Sequence, residues 1–288
     1  MSKEFFECNL PKIAPKYVKG VEKRNKITRI LKQVHARMNK LNEALEISGM
    51  VGEQFSAGAK ILFDQLDSDG NSLLDSFDAQ HIADYVGLIA SNIKYEKRYE
   101  WPNAIVIVDT AFLSTPEWEA VRTIGIGGSD AAVTMGVSPY RTEQALYHDK
   151  VGTEMKMDCS KQDKNFIFSF GHKVEPLVIE EFCRRTGAKV VPETRMFAKK
   201  GMPFITANID AIVLLANKIF VFEAKTTTYF NKDAWKDGKV PVQYIPQCRQ
   251  YPSVLDDPRI AGTYIGCIYG NTPDDWFCQY IELSLIHI

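Results

Sequence analysis

Asp210, Glu223 and Lys225 are the residues of this 288-residue chain whose types and spacing best fit a chemical site. They lie in two hydrophobic segments joined by the short polar turn Ala216-Asn-Lys218, a pattern that predicts a β-hairpin. Because alternate side chains of a strand share one face, Glu223 and Lys225 project together, while the residues between them point into the core. Neighbouring strands lie about 4.8 Å apart, so Asp210 can approach Glu223 if the register allows it.

The chemistry open to such a group would be metal-assisted hydrolysis of a phosphodiester. Two carboxylates and the backbone carbonyl of Ala224 would supply hard oxygen ligands for Mg²⁺, with Mn²⁺ as a substitute. The ion would activate a water and neutralise charge on the phosphate, while the ammonium of Lys225 would orient that water or stabilise the developing charge. The same glutamate and lysine spacing also occurs on the exposed face of an ordinary half-buried strand, so both interpretations stay open at this point.

The charge distribution is uneven, although the formal net charge is only −1. Residues 1–40 hold eleven Lys and Arg against three Asp and Glu, whereas residues 41–100 hold four against eleven. Residues 173–249, which include the candidate site, hold thirteen basic against eight acidic residues. A local basic excess around acidic site residues suits a polyanion such as a nucleic-acid backbone.

Hydrophobic periodicity predicts the elements that would position the site. Apolar residues at helical spacing predict helices over Asn25–Ile47 and Asp78–Tyr95, and Trp101-Pro-Asn103 places a domain boundary near residue 105. Residues 1–104 are therefore expected to form a helical extension with a basic part, 1–40, and an acidic part, 41–100. Beyond it, helices and strands alternate, which predicts an α/β fold. The predicted helices are 116–121, 129–135, 142–151, 171–186 and 242–255, and the predicted strands are 189–191, 204–215, 219–225 and 263–269.

Hydrophobicity and cysteine content argue against several other protein classes. The chain is 45% hydrophobic, yet its apolar runs are much shorter than the roughly 20 residues that span a bilayer. Its N-terminus lacks the apolar core of a signal peptide. The six cysteines form no C-x-x-C pair, so neither a zinc site nor a disulfide framework is expected. These features predict an intracellular protein without a membrane span, with buried free thiols.

Several further motifs occur in a fixed order along the chain. Arg122-Thr-Ile-Gly-Ile-Gly-Gly-Ser129 precedes Gly136-Val-Ser-Pro-Tyr140, Gly171-His-Lys-Val-Glu175-Pro and the hairpin, whose pattern is Asp-x(12)-Glu-Ala-Lys. Tyr244-Ile-Pro-Gln247-Cys-Arg-Gln-Tyr251 follows the hairpin. Across about residues 115–282 this set resembles the YqaJ-like viral recombinase and lambda exonuclease family of the PD-(D/E)XK nuclease superfamily. Ile209 stands where the superfamily name has proline.

The resemblance implies a fold and a set of metal ligands. The fold would be a restriction-endonuclease-like PD-(D/E)XK core over residues 105–282, an α/β domain with a central mixed sheet flanked by helices. Asp210, Glu223 and the Ala224 carbonyl would bind the metal, and Lys225 would assist the attacking water. Glu175 would complete the acidic set. Read from the residues alone, Glu175 is instead an ordinary acidic residue that complements the dipole of a first helical turn.

The resemblance also implies residues that contact the substrate or border the metal. Gln247 would lie beside the metal site, while Arg122 and Ser129 would bind phosphate. An arginine offers a bidentate fork to an anion, and Gly127-Gly128-Ser129 at the start of a helix would present backbone N–H groups to it. Asn208 stands where a phosphate-contacting serine would be expected from the family.

The activity implied by the resemblance is a 5′-to-3′ exonuclease on linear double-stranded DNA, acting in phage-type recombination. The substrate would be duplex DNA with ends, the partner a phage single-strand annealing protein, and the assembly a ring-shaped homotrimer. The location would be the cytoplasm of a bacterial host, with a phage or prophage as the source. Two other functions stay open. One is an endonuclease or nickase that uses the same site without needing an end, and the other is a non-catalytic DNA-binding recombination scaffold.

Aromatic and basic residues alternate directly after the candidate strand. Tyr229, Phe230 and Trp235 stand among Lys232, Lys236 and Lys239. Such a segment can contact a nucleic-acid backbone and stack on an unwound base. A packed surface loop explains the same residues equally well.

The last six residues, Leu283-Ser-Leu-Ile-His-Ile, resemble the translation of a transposon end used in preparing sequencing libraries. We therefore expect residues 283–288 to be a non-native tail, and we leave them out of the fold prediction.

Overall fold

The computed structural model describes residues 21–48, 99–110, 113–151, 161–191 and 193–283. The chain divides into two compact units, each built from three segments. The first comprises Met1–Ile126, Lys150–Gly152 and Thr194–Thr206, and the second comprises Gly127–Asp149, Thr153–Glu193 and Ala207–Ile288. The predicted helix at 78–95, most of the acidic block at 41–100, and residues 284–288 of the expected tail lie outside the described residues. The division of the chain at residue 105 stays a prediction.

The first unit contains helix α1 (Val21–Ser48), helix α2 (Thr115–Val121) and a three-stranded sheet. The sheet has the order β1-β3-β4, with β1 at Ala104–Asp109, β3 at Arg195–Lys199 and β4 at Met202–Asn208. Helix α1 agrees with the predicted helix at 25–47, and it buries the apolar residues that are spaced at three and four: Ile27, Ile30, Leu31 and Val34.

The second unit is built around a five-stranded mixed sheet of order β2-β5-β6-β7-β8. The strands are β2 (Lys189–Val191), β5 (Ala211–Leu215), β6 (Lys218–Thr226), β7 (Ile260–Ile268) and β8 (Trp276–Glu282). β6 and β7 run parallel, and the other neighbours run antiparallel. A parallel pair needs a crossover connection, which here contains the helix Ile245–Leu255. The predicted central mixed sheet is therefore confirmed.

Helices cover both faces of this sheet. In the part of the chain that the structure describes, the remaining helices are α3 (Gly128–Thr134), α4 (Glu143–Val151), α5 (Lys161–Thr186) and α6 (Ile245–Leu255), and short 3₁₀ turns lie at Arg122–Ile124, Tyr229–Trp235 and Val242–Tyr244. Helix α5 packs Val178 and Phe182 against Phe222 on one face of the sheet. Helix α6 packs Cys248 against the opposite face, where Ile265 lies on β7. None of the helices in the described ranges is long and apolar enough to cross a membrane.

The predicted single strand at 204–215 is wrong, because the structure has two strands there. β4 ends at Asn208 and belongs to the three-stranded sheet, whereas β5 begins at Ala211 and belongs to the five-stranded sheet. The apolar run contains no glycine or proline that would mark the break, so sequence periodicity could not show it. Ile209 and Asp210 occupy the break, so the chain passes from one sheet to the other at a candidate site residue.

Phe222 is a test of this core, because its side chain is fully buried and its ring centroid lies 4.8 Å from that of Phe182. We expect Phe222→Ala to lower the free energy of unfolding by about 3–5 kcal/mol through lost burial and the cavity left behind. Chemical denaturation followed by circular dichroism measures this change. The matched control is Phe230→Ala, which removes the same side chain from a position that is 94% exposed and should leave stability unchanged. Equal stability of the two variants would contradict the assigned core.

Candidate active site

The register of the β5–β6 hairpin brings Asp210 beside Glu223. Ala211 pairs with Phe222 across the antiparallel strands, so Asp210, the residue before Ala211, stands next to the residue after Phe222. The Oδ2 atom of Asp210 accepts a hydrogen bond of 2.8 Å from the backbone N–H of Ala224. This bond fixes the half-buried Asp210 carboxylate at the edge of strand β6.

Glu223 is an almost completely buried carboxylate in the central strand of the sheet. Its side chain is 1% exposed, and its Oε1 atom accepts a hydrogen bond from the ammonium of Lys225, which is 21% exposed. Its Oε2 atom is buried and accepts no hydrogen bond from any residue that the structure describes. Burial of a polar atom without a partner is costly, so this oxygen indicates a site built to hold something else.

Burial raises the pKa of both carboxylates, and a hydrogen bond with Asp210 lowers that of Glu223. Burial raises the pKa of Asp210 well above its ordinary value, and the negative charges of Glu223 and Glu175 raise it further. Burial also raises the pKa of Glu223, although the charge of Lys225 and its hydrogen bond act in the opposite direction. Two close carboxylates with raised pKa values would both be stabilised by a cation between them.

Lys225 remains charged in this environment. Burial lowers the pKa of its ammonium, but the charges of Glu223 and Asp210 outweigh that effect, so the pKa lies above its ordinary value. The lysine is therefore a hydrogen-bond donor and a positive charge at neutral pH, and it is not a base. Its Nζ atom also lies 5.3 Å from the centre of the Tyr244 ring, a cation–π contact. Burial raises the pKa of Tyr244 to about 12, so this ring stays neutral.

Glu175 lies on α5, half-buried, and its charge raises the pKa of both Asp210 and Glu223. It therefore shares the electrostatic field of the pair. Within the described residues, however, no group of three or more His, Cys, Asp and Glu side chains is arranged to hold a metal ion. The role of Glu175 as a further metal ligand stays a prediction.

The residues at the hairpin fit a divalent cation of the hard, oxygen-binding kind. Asp210 and Glu223 offer two adjacent carboxylates, and the Oε2 atom of Glu223 has a free lone pair that is shielded from solvent. Mg²⁺ is commonly held by one or two carboxylates and keeps waters in its other positions. The structure shows the Ala224 amide in contact with Asp210, and a role for the Ala224 carbonyl stays a prediction.

Gln247 and Tyr251 form a buried pair on helix α6, one turn apart. The Nε2 atom of Gln247 donates a hydrogen bond of 2.7 Å to the hydroxyl of Tyr251. Burial raises the pKa of Tyr251, and the charges of Glu223 and Asp210 raise it further, so the tyrosine lies in the field of the two carboxylates. The placement of Gln247 beside the metal site stays a prediction.

Packing against Tyr251 requires a glycine at position 128. A Cβ atom added at Gly128 would lie 2.3 Å from Cε1 of Tyr251, a separation that real Cβ atoms do not reach. The neighbouring Gly127 N–H is already bonded at 3.0 Å to Oδ2 of the buried Asp130. This bond differs from the expectation that the Gly127-Gly128-Ser129 segment offers its backbone N–H groups to an anion.

Arg122 and Ser129, the two predicted phosphate-binding residues, fall in different units. The guanidinium carbon of Arg122 lies 4.9 Å from the centre of the Trp118 ring, a contact that holds its side chain against the first unit. Ser129 is exposed near the start of α3. Their joint role in phosphate binding stays a prediction.

Tyr244 is the residue of this site to which sequence reasoning assigned no role. Its ring contacts Lys225 and also stacks on Trp235, with ring centroids 5.4 Å apart. Tyr244 and Tyr251 both belong to the sequence motif that contains Gln247. Their contacts with Lys225 and with the space around Gly128 depend on tertiary packing, so the sequence could not show them.

Two carboxylates and a lysine lie on the central hairpin of a mixed sheet with helices on both faces, which is the α/β arrangement that the PD-(D/E)XK resemblance predicted. Residues 117–256 match the model of the YqaJ-like viral recombinase domain. This match confirms the family resemblance seen in the sequence motifs.

Known proteins similar to this chain include one from Bacillus subtilis and one with a solved structure. The uncharacterized protein YqaJ of Bacillus subtilis (strain 168) is 31% identical over 173 residues, which are 60% of this chain and 52% of that protein. The chain thus spans about half of that relative's length. The crystal structure of an alkaline exonuclease (LHK-Exo) from Laribacter hongkongensis is 21% identical, with a TM-score of 0.44, over 59% of this chain and 83% of that one.

The raised pKa of Asp210 predicts that its charge destabilises the metal-free protein at neutral pH. An acid whose folded-state pKa lies above its ordinary value of 3.8 costs stability once the pH rises above that value, and the cost grows until the folded-state pKa is passed. We therefore expect Asp210→Asn, which can still accept the Ala224 hydrogen bond, to raise the melting temperature in EDTA at pH 8. The gain should shrink as the pH is lowered towards 4. Thermal melts at several pH values measure it.

The control for this experiment is Asp274→Asn at an exposed position of the same unit, which should change the melting temperature little at any pH. Added Mg²⁺ should then raise the melting temperature of the wild type, because a ligand that binds the folded state stabilises it. It should do so much less for Asp210→Asn. If neither Mg²⁺ nor Mn²⁺ changes the melting temperature of the wild type, the hairpin does not bind a metal.

Proposed function

We propose that this chain is a metal-dependent deoxyribonuclease that hydrolyses phosphodiester bonds of DNA. The observation that carries the proposal is the hairpin inside the YqaJ-like domain, where Asp210 stands beside a buried Glu223 whose Oε1 atom is bonded to Lys225 and whose Oε2 atom has no partner among the described residues. A structural hairpin gains no stability from such an arrangement, because the burial of carboxylates raises the free energy of the folded state.

In this proposal the site residues divide into metal ligands, a hydrogen-bond donor to the water and residues that bind phosphate. Asp210 and Glu223 would hold Mg²⁺, with Mn²⁺ as a substitute, and Glu175 and the Ala224 carbonyl would complete the ligand set. The bound cation supplies a Lewis acid that neutralises charge on the phosphate and lowers the pKa of a water. Lys225, which stays protonated, would donate a hydrogen bond to the attacking water or to the developing negative charge. Gln247 would border the site, and Arg122 and Ser129 would hold phosphates of the DNA.

The form of the activity that the family favours is a 5′-to-3′ exonuclease on linear double-stranded DNA. Its products, 3′ single strands, would suit a phage single-strand annealing protein in recombination within the cytoplasm of a bacterial host. A ring-shaped homotrimer would keep such an enzyme on its DNA. These finer properties rest on the family resemblance, whereas the hydrolytic chemistry rests on the hairpin itself.

The role of Lys225 is testable by substitution. We expect Lys225→Ala to reduce cleavage of DNA by at least about 100-fold, because loss of one preorganised electrostatic donor typically costs that much. Since the variant leaves the buried Glu223 without its cation, its folding should be checked by circular dichroism and by thermal melts with Mg²⁺. Lys218→Ala, at the exposed start of the same strand, is the matched control and should cleave like the wild type. Full turnover by a folded Lys225→Ala protein would remove the assignment.

The substrate distinguishes the exonuclease from the alternatives. The full-length protein with Mg²⁺ is given either linear duplex DNA with labelled 5′ phosphates or closed circular plasmid. We expect loss of the linear DNA alone, with label released as mononucleotides from the 5′ ends. Nicking or cutting of the circle would establish the endonuclease. Binding of either DNA without hydrolysis, with both Mg²⁺ and Mn²⁺, would establish the non-catalytic scaffold.

A further inference from the structure

Phe230 is an apolar aromatic residue whose side chain is almost fully exposed to solvent. Its side chain is 94% exposed, and the adjacent Tyr229 is 52% exposed. A single exposed apolar residue is common on protein surfaces and needs no explanation by itself. Phe230, however, follows Lys225 by five residues, in the 3₁₀ turn Tyr229–Trp235 that comes directly after strand β6.

The turn that carries Phe230 is held in place from both sides. Before it, the Thr227 N–H continues the sheet by bonding to the Ile268 carbonyl at 3.1 Å. Within it, the Asn231 N–H bonds to the Thr228 carbonyl at 2.9 Å, and the Asn231 side-chain amide bonds to the Thr227 hydroxyl at 3.2 Å. At its end, Trp235 is 2% exposed and belongs to the core beneath the sheet. Phe230 is thus presented by an anchored backbone.

The same turn is linked to the candidate active site. Trp235 stacks on Tyr244, and the Tyr244 ring also contacts the ammonium of Lys225. Five residues span at most about 18 Å of chain, so Phe230 lies within that distance of Lys225 along the backbone. This reach corresponds to about five stacked nucleotides at 3.4 Å each. A nucleotide near the scissile phosphate is therefore within range of the ring.

The segment that carries Phe230 has a small excess of positive charge. From Tyr229 to Gln243 the chain holds three lysines and two aspartates, and Lys236 pairs with Asp233. The Nζ atom of Lys232 lies 3.6 Å from the centre of the Tyr229 ring, and Lys239 is exposed. Exposed aromatic rings among lysines are the combination that binds single-stranded nucleic acid, since rings stack on bases while ammonium groups meet phosphates.

We propose that Phe230 stacks on an unpaired base at the end of the DNA and thereby positions the strand whose phosphodiester meets Lys225. This inference rests on the proposed function and deepens it, because it names a positioning residue and the state of the DNA that it contacts. Stacking uses the face of the base, which all four bases offer. The contact should therefore not depend on sequence.

The experiment places 2-aminopurine in a short unpaired overhang at the 5′ end of a duplex and follows its fluorescence, which stacking on an aromatic ring quenches. The protein is the full chain carrying Lys225→Ala, with Mg²⁺, so that the DNA stays intact. Phe230→Ala, Phe230→Leu and Phe230→Trp are added to it in turn. The control is Tyr147→Ala, which removes another aromatic side chain, 59% exposed on helix α4.

We expect Phe230→Ala to abolish the quenching and to raise the Kd roughly 10-fold, with Phe230→Leu close to it. Phe230→Trp should retain the quenching, and Tyr147→Ala should leave it unchanged. In the background that keeps Lys225, Phe230→Ala should slow degradation of duplex ends. Unaltered quenching in Phe230→Ala, or equal loss in Tyr147→Ala, overturns the proposal. A change in self-association without DNA, and none in quenching, also overturns it, because the ring would then be a protein interface.

Failure of this inference is distinguishable from failure of the proposed function. If the wild type degrades DNA and Phe230→Ala leaves both the rate and the quenching unchanged, the nuclease stands and the stacking residue does not. If the wild type hydrolyses no DNA with Mg²⁺ or Mn²⁺ and yet the quenching depends on Phe230, the stacking contact stands and the nuclease does not.

Discussion

The burial of the Glu223 carboxylate is the constraint on which the rest of the site depends. A carboxylate at 1% exposure is tolerated only with compensation, and here the ammonium of Lys225, two residues along the same strand, provides it. Both side chains need the same face of a strand, and the strand needs neighbours on both edges to exclude water. β6 meets these conditions because it is the central strand of the five, between β5 and β7. The fold thus creates the dry environment in which two carboxylates and a lysine interact strongly.

The parts of this arrangement that depend on local pattern could be predicted from the sequence. The alternation in β6 predicts that Glu223 and Lys225 share a face, and the structure has Phe222 in the core with α5 while Glu223 lies on the side of α6. The helices at 25–47 and 129–135 follow in the same way from periodicity and from glycine before a helix start. The family motifs predicted the type of fold, because they combine five separate blocks in one order.

The parts that depend on tertiary pairing could not be predicted. The run Phe204–Leu215 reads as one strand, but its two halves pair in different sheets, and the strand is interrupted at Ile209 and Asp210. Strands β3 and β8 lack a clear alternation in sequence, and they form by pairing with β1 and β7. The contact between Tyr244 and Lys225 joins elements that are far apart in sequence. Such contacts are properties of the packed chain and not of any segment.

The contact between Gly128 and Tyr251 has a consequence for how this domain can vary among its relatives. The tyrosine ring occupies the space that any side chain at position 128 would need, so the two positions form one packing unit. Alanine at 128 is sterically compatible only with a smaller residue at 251, which would give up the hydroxyl that Gln247 contacts. Substitutions at the two positions are therefore coupled, and a chain that departs from glycine at one of them is expected to depart from tyrosine at the other. Relatives in which both positions have changed would need another hydrogen-bond partner for the side chain of Gln247.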